Sequence, residues 1–494
     1  MTDKYDVIKF SSNPFSRFSA EEEEEYLHDI FVQPKYYQTT KTDIKSGSSR
    51  FIFGARGAGK SALVLNLKKD LEKDQHFTIL VDDYEGIDIS NSGKQLLLLT
   101  LKKLETSFGI FLLKNKQCIK SLDAYEKEKL SFFTNTFFES LSDKQAKDLY
   151  DKTTHIKSIN IVKRICNLFL VKPINTALSA GHEIVGSTIC RALGLPSYAQ
   201  ISESVYKEYL SEFQDTKPPE KIVLENFDYS KLKSMLIELS EIIKKCGFNG
   251  VVIIYDKIDE YHLLNSQITS IADFVKDLVL DTALLLNNNI SLVFSFWSKI
   301  RQCLADKGAR FDKLKPIDIT WTNGELEKIT GDRLAYFSNK KITSLSQIMP
   351  TEKIGTVLRL AHGSPRHLIS LLAKIHDEQI NINEEYHVFS KEAIEKGFAD
   401  FAASFDFGTI HAGTNKGTLG TTIDILLRIN KLEFEVKNLI DTYKIGAPAA
   451  NNRIRQMREY GLIEEIPTAT RTKQYRVTEP RIAYMIENNL SRKN

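Results

Sequence analysis

Cysteine is scarce in this chain: five residues in 494 (Cys118, Cys166, Cys190, Cys246 and Cys303), no two at CxxC spacing. That argues against a zinc ribbon or a disulfide framework and for reduced thiols in a cytoplasm. An excess of one charge is also missing, since 67 basic and 64 acidic residues leave +3. The chain is no polycation, so any nucleic-acid contact has to come from a local basic surface. No apolar run approaches ~18 residues, the length of a membrane span. The opening MTDKYDVIKF lacks an apolar signal core, so secretion is not expected. Internal repeats, low-complexity tracts and His/Cys metal spacings are absent as well, which disfavours solenoids and nucleases. What is present is 42% hydrophobic and 27% charged residues, a composition for globular cores in about three domains at roughly 150 residues each.

The pattern along the chain predicts an α/β fold. Residues 1–48 are polar, and Ser19-Ala20-Glu21-Glu22 reads as a capping box opening a helix, with Glu21 to Glu25 as its solvated first turn or an acidic patch. Arg50 to Phe53 reads as a buried strand, Ser61 to Lys73 as a helix and His76 to Tyr84 as a second strand. Strand, helix, strand marks a parallel sheet. Residues 95–245 show apolar residues at i, i+3, i+4 and read as a helical insertion. Within it, Ile159 to Leu195 is a buried hairpin or a surface for a membrane or partner. The sheet resumes with Val251 to Tyr255, a polar turn and a long helix to about Leu286, then Ile290 to Trp297 and Pro316 to Trp321. The expected domains are a core of 49–94 and 246–322, a helical lid of 323–404, a Gly/Thr-rich linker of 405–422 and a C-terminal unit of 423–494.

Between the first strand and helix, Gly54-Ala55-Arg56-Gly57-Ala58-Gly59-Lys60-Ser61 matches GxxxxGK[ST] in the right context. Glycines let backbone N–H groups close round phosphate oxygens, and the helix N-terminus adds positive potential. Lys60 can reach the β- and γ-phosphates of ATP, and the Ser61 hydroxyl can ligate Mg²⁺. Asp256 ends the strand Val251 to Tyr255, where ligands of open α/β sheets bind, and is the second expected Mg²⁺ residue. Asp259 and Glu260 are candidates for orienting the attacking water, with Glu260 ahead, unless one of them caps the following helix. Ser298, and less so Ser295, is a candidate to contact the γ-phosphate or the water, with a buried, satisfied serine as the alternative.

The last residues read as three helices, Ile423 to Asn430, Glu433 to Tyr443 and Ala447 to Tyr460, then strands Ile463 to Pro467 and Gln474 to Val477 round a wing at Ala469 to Lys473. This is the order of a winged helix-turn-helix. Residues 416–494 hold 14 basic and 9 acidic residues, +5, leaving −2 for the remainder. With Ala450, Ile454 and Met457 inward, the third helix presents Asn452, Arg455, Gln456 and Glu459. Asn452, Arg455 and Gln456 suit base edges, and Arg471 and Lys473 suit phosphates of double-stranded DNA. A protein–protein or structural role for this unit is the alternative.

Taken together, GARGAGKS at Gly54, YDKIDE at Tyr255, Gly363-Ser364-Pro365-Arg366 and the C-terminal pattern resemble the AAA+ and STAND-like P-loop ATPases, most closely the origin-recognition initiator branch. The resemblance covers about 60% of the chain and leaves the insertion unmatched. It implies ATP hydrolysis with Mg²⁺, a homo-oligomer, Arg366 on the lid sensing the γ-phosphate, and Arg310 reaching a neighbour's nucleotide, if it is not simply an ion-paired surface arginine. One departure stands out: Lys257 occupies the position after Asp256 where typical AAA+ members carry Glu. The DxxDE spacing is instead similar to STAND and NACHT proteins. The implied function is a nucleotide switch coupled to assembly and DNA. The alternative is a signalling or phage-defence ATPase whose insertion binds a protein trigger. A nucleotide kinase needs neither the lid arginine nor the C-terminal unit.

Overall fold

The structure, a computed structural model, describes residues 10–137, 227–411, 415–468 and 472–493. The segment Ile159 to Leu195 and the wing residue Arg471 lie outside the described residues. Five parallel strands, β1 Arg50–Gly54, β2 Phe77–Val81, β3 Val251–Tyr255, β4 Ile290–Trp297 and β5 Pro316–Ile319, form one sheet in the order β2-β3-β4-β1-β5. Every residue of β3 and β4 is buried, which is why both read as unbroken apolar runs. One face packs on Tyr37, Leu63, Val64 and Leu67. The other carries the helices Ser92–Lys114, Ala124–Phe137 and Tyr229–Lys245 through Leu97, Phe108, Phe133 and Leu236.

Four helices, Asn323–Phe337, Thr351–Ala361, Pro365–Ile382 and Lys391–Ala403, follow the sheet and share one apolar core with the C-terminal unit. Thr322 and Glu325 close a capping box at the first, and Ser364 caps the third with Pro365 behind it. The C-terminal unit runs helix Lys416–Ile429, β6 Glu433–Glu435, helices Val436–Tyr443 and Ala447–Glu459, β7 Ile463–Ile466, β8 Gln474–Val477 and helix Pro480–Glu487. Its antiparallel sheet has the order β6-β8-β7.

Four expectations are corrected. The Ser19–Glu22 capping contacts form, but turns rather than a helix follow until the short helix Leu27–Ile30. The reason is tertiary: Glu23, expected in solvent, is buried and ion-paired to Arg333. The long helix after β3 is broken into the 3-10 turns Ile258–Glu260 and His262–Leu264 and the helices Ile268–Leu280 and Thr282–Leu285. The second half of the Gly/Thr-rich linker is helical, because Asn415 caps it, Leu419 and Ile423 bury, and Gly420 leaves room for the Arg492 guanidinium. Finally, Glu433 to Glu435 is a strand, held by Phe434 in the core and by Glu433 paired with Arg476 across β8.

Candidate nucleotide site

The order β3-β4-β1 sets the site. The loop after β1 and the carboxylate after β3 are two strands apart, with the end of β4 between them. Gly57 (φ +78°) and Gly59 (φ +85°) take the left-handed turns of the loop. A Cβ on Gly57 would stand 2.7 Å from Ser364 Oγ, so the lid touches the loop directly. Ser364 Oγ donates to Gly57 O (3.1 Å), as does the Arg366 backbone N–H (3.3 Å). Trp321 Nε1 donates to Ala58 O (2.9 Å). Lys60 Nζ donates to Gly54 O (3.2 Å) and Ala55 O (3.1 Å). Burial draws its pKa down, against the opposing pull of Asp259, Asp256 and Glu260.

Asp256 is 2% exposed. Burial raises its pKa, while the nearby Ser295 and Ser61 hydroxyls favour the ionised form, although Ser295 Oγ is buried with no hydrogen bond formed among the described residues. A buried carboxylate flanked by hydroxyls is an oxygen donor set that fits Mg²⁺, which keeps waters and takes few protein ligands. Ser61 and Asp256 would hold the ion. Ser295, not Ser298, is the serine at this point. It stands on β4 beside Asp256, whereas Ser298 is exposed and opens the 3-10 turn past the strand.

The two acidic candidates separate. Asp259 is buried, and its carboxylate accepts from Arg56 Nε (3.0 Å). Arg56 Nη2 donates to Asp259 O (3.0 Å) and Ser266 Oγ (3.0 Å), and its guanidinium lies 5.0 Å from the Trp297 ring centre. Arg56, expected only as part of the phosphate loop, thus spends its side chain on the acidic turn. Glu260 is exposed on the cleft wall, and its pKa is raised by partial desolvation and by Asp259. Arg366 lines the same cleft, its Nε donating to Phe18 O (3.3 Å). The cleft measures about 870 Å³, and its walls include Phe18, Leu27 and Ile30 from the N-terminal segment, a placement no local pattern announced.

Arg310 is exposed, pairs with Asp312 (2.9 and 2.7 Å) and does not line this cleft. In the C-terminal unit Ala450, Ile454 and Met457 are buried, and Asn452 and Arg455 are exposed, with Gln456 half-buried. Arg455 contacts Asn452 and Glu459, and Lys473 pairs with Glu465 (3.1 Å).

Behind the lid arginine, burial first, then Arg481 and Arg366, push His367 down to about 3. The ring is therefore neutral, and its Nδ1 accepts from Arg481 (3.2 Å). Arg481 is fully buried, paired with buried Glu479 and 4.0 Å from the Phe405 ring centre. Replacing Arg481→Met strands the Glu479 carboxylate. The expected cost is about 3–5 kcal/mol, read as a lowered thermal midpoint, with Arg481→Met/Glu479→Met recovering most of it.

Fold and loop together define an α/β protein with a P-loop-type turn between β1 and the following helix. No family model matches the chain, and no curated protein matches it in sequence. Among solved structures it is similar to Cdc6p from Pyrobaculum aerophilum (11% identity, 98% of each chain, TM-score 0.34). It is also similar to the Aeropyrum pernix ORC2 protein in ADPNP–ADP complexes (10% identity, 94% of this chain and 96% of that one, TM-score 0.41).

Proposed function

We propose that the chain is an ATP-binding and ATP-hydrolysing switch of AAA+ type, which couples nucleotide state to assembly and to DNA through its C-terminal unit acting as a winged helix. The observation that carries the reading is the convergence on one cleft of the phosphate loop, buried Asp256 beside Ser61, and the lid segment Ser364–Arg366 bonded to Gly57. Ser61 and Asp256 would hold Mg²⁺, which would supply charge neutralisation at the phosphates. Lys60 would leave the Gly54 and Ala55 carbonyls for the β- and γ-phosphates. Glu260 would hold the attacking water and accept its proton, and Asp259 would keep the turn in place through Arg56. Arg366 would add positive charge at the γ-phosphate, while Arg310 is open to meet a neighbouring copy's nucleotide. His367, next to Arg366 and bonded to Arg481, would pass lid movement to the C-terminal unit.

One observation favours the second reading, a signalling or defence ATPase with a protein partner at the insertion. The basic residues of the C-terminal face are largely paired: Arg458 and Lys473 with Glu465, Arg455 with Glu459, Arg476 with Glu433. Such pairing reduces the positive potential offered to phosphates. The experiment is ATP turnover with and without duplex DNA at two salt concentrations. DNA stimulation that falls steeply with salt supports the first reading. Slow turnover indifferent to DNA, with nucleotide still held, moves the assignment to the second.

A further inference from the structure

Part of the cleft wall precedes the sheet in sequence, and the way it is fastened is uneven. Toward the lid the ties are many and buried. Arg333, 4% exposed, ion-pairs with Glu23, donates to Arg17 O (3.3 Å) and also reaches Pro14 O. Ser11 donates to Phe337 O through N–H (2.6 Å) and Oγ (3.0 Å), and Tyr26 stacks on Tyr336 with ring centres 5.1 Å apart. Toward the acidic turn there is a solvent-accessible ion pair, Glu21–Lys257 at 2.7 Å, with side chains 40% and 25% exposed. Lys257 directly follows Asp256, and its backbone is left-handed (φ +58°), a conformation that lysine seldom takes and that aims it at Glu21. The N-terminal segment and lid are thus one body. It meets the phosphate loop through Ser364 and Arg366 on Gly57 and the following helix through His28 on Asn66 (3.3 Å), and at the carboxylate end of β3 this pair joins it.

We propose that the Glu21–Lys257 ion pair is a latch that retains bound nucleotide by tying the N-terminal segment and lid to the Asp256 turn. The proposal rests on the reading of the cleft as an ATP site. Product leaves such a site when its cover opens, so the latch sets the release rate and not the phosphate chemistry. Lys257, the residue that stands where the resemblance calls for an acid, thereby acquires a role.

The test is release of a fluorescent ADP analogue from the full chain, followed by stopped flow. Glu21→Gln is expected to speed release about two- to fivefold, the scale of a partly exposed pair. Glu21→Lys, which sets two cations face to face, is expected to speed it further, and Glu21→Lys/Lys257→Glu to return it toward the wild-type rate. Added salt is expected to quicken the wild type more than Glu21→Gln, because only the wild type has a latch to screen. If Glu21→Lys fails to give a cooperative melt, Glu21→Gln with the salt series decides. Wild-type release rates in the Glu21 variants overturn the latch alone. A wild type that never binds the analogue overturns the ATP-site reading and the latch with it.

Discussion

Lys60→Ala is expected to lower ATP turnover by about 10²–10³-fold, the scale for losing one preorganised charge at a transferring phosphoryl group. Lys60 starts the helix Lys60–Lys73 and is held by the Gly54 and Ala55 carbonyls, so it lies along the loop before any phosphate arrives. Truncation removes the charge and the two hydrogen bonds to these carbonyls. Intrinsic fluorescence offers a second readout. The chain has two tryptophans, and both adjoin the loop: Trp321 donates to Ala58 O, and Trp297 lies under Arg56. Nucleotide is expected to change the emission of the wild type and to change that of Lys60→Ala only at much higher concentration. Unchanged turnover in a folded Lys60→Ala would remove the phosphate loop from the mechanism.

Local signals were readable, and long-range pairings were not. The phosphate loop, β3 and β4 announce themselves through contiguous residues, glycines before a helix and apolar runs buried on both faces. Asp256 follows from strand direction alone. The different surroundings of Asp259 and Glu260 depend on Arg56, 203 residues from Asp259, and no spacing rule links them. Glu23 inside an acidic run looks like solvated charge until Arg333 is brought to it across 310 residues. The choice of Ser295 over Ser298 was within reach. The two-residue period of a strand, together with the place of β4 between β1 and β3, sets Ser295 beside Asp256. The glycines at 417 and 420 misled, because helix propensity was overridden by the Asn415 cap and the burial of Leu419 and Ile423.

Glu260→Gln and Asp259→Asn are expected to fail differently. Glu260→Gln keeps the shape of the cleft and removes the proton acceptor, so kcat is expected to fall about 10²–10⁴-fold with nucleotide affinity retained. Asp259→Asn breaks a charged hydrogen bond to a partly buried guanidinium. The expected outcome is a loss of about 1.5–3 kcal/mol in stability, together with weaker nucleotide binding as Arg56 loosens from the acidic turn. The pH profile separates the two roles further. Partial desolvation and the Asp259 charge hold the Glu260 pKa above its ordinary value. Turnover that needs the Glu260 carboxylate is therefore lost, as pH falls, earlier than an ordinary glutamate would dictate. Removing the like charge in Asp259→Asn lowers that pKa, so the acid limb of the residual activity is expected to move to lower pH. An unmoved limb, or an Asp259→Asn enzyme that binds nucleotide normally and is dead while Glu260→Gln still turns over, would exchange the two assignments. In that case Arg56 would be holding the base itself, and the phosphate loop would report to the chemistry through its arginine.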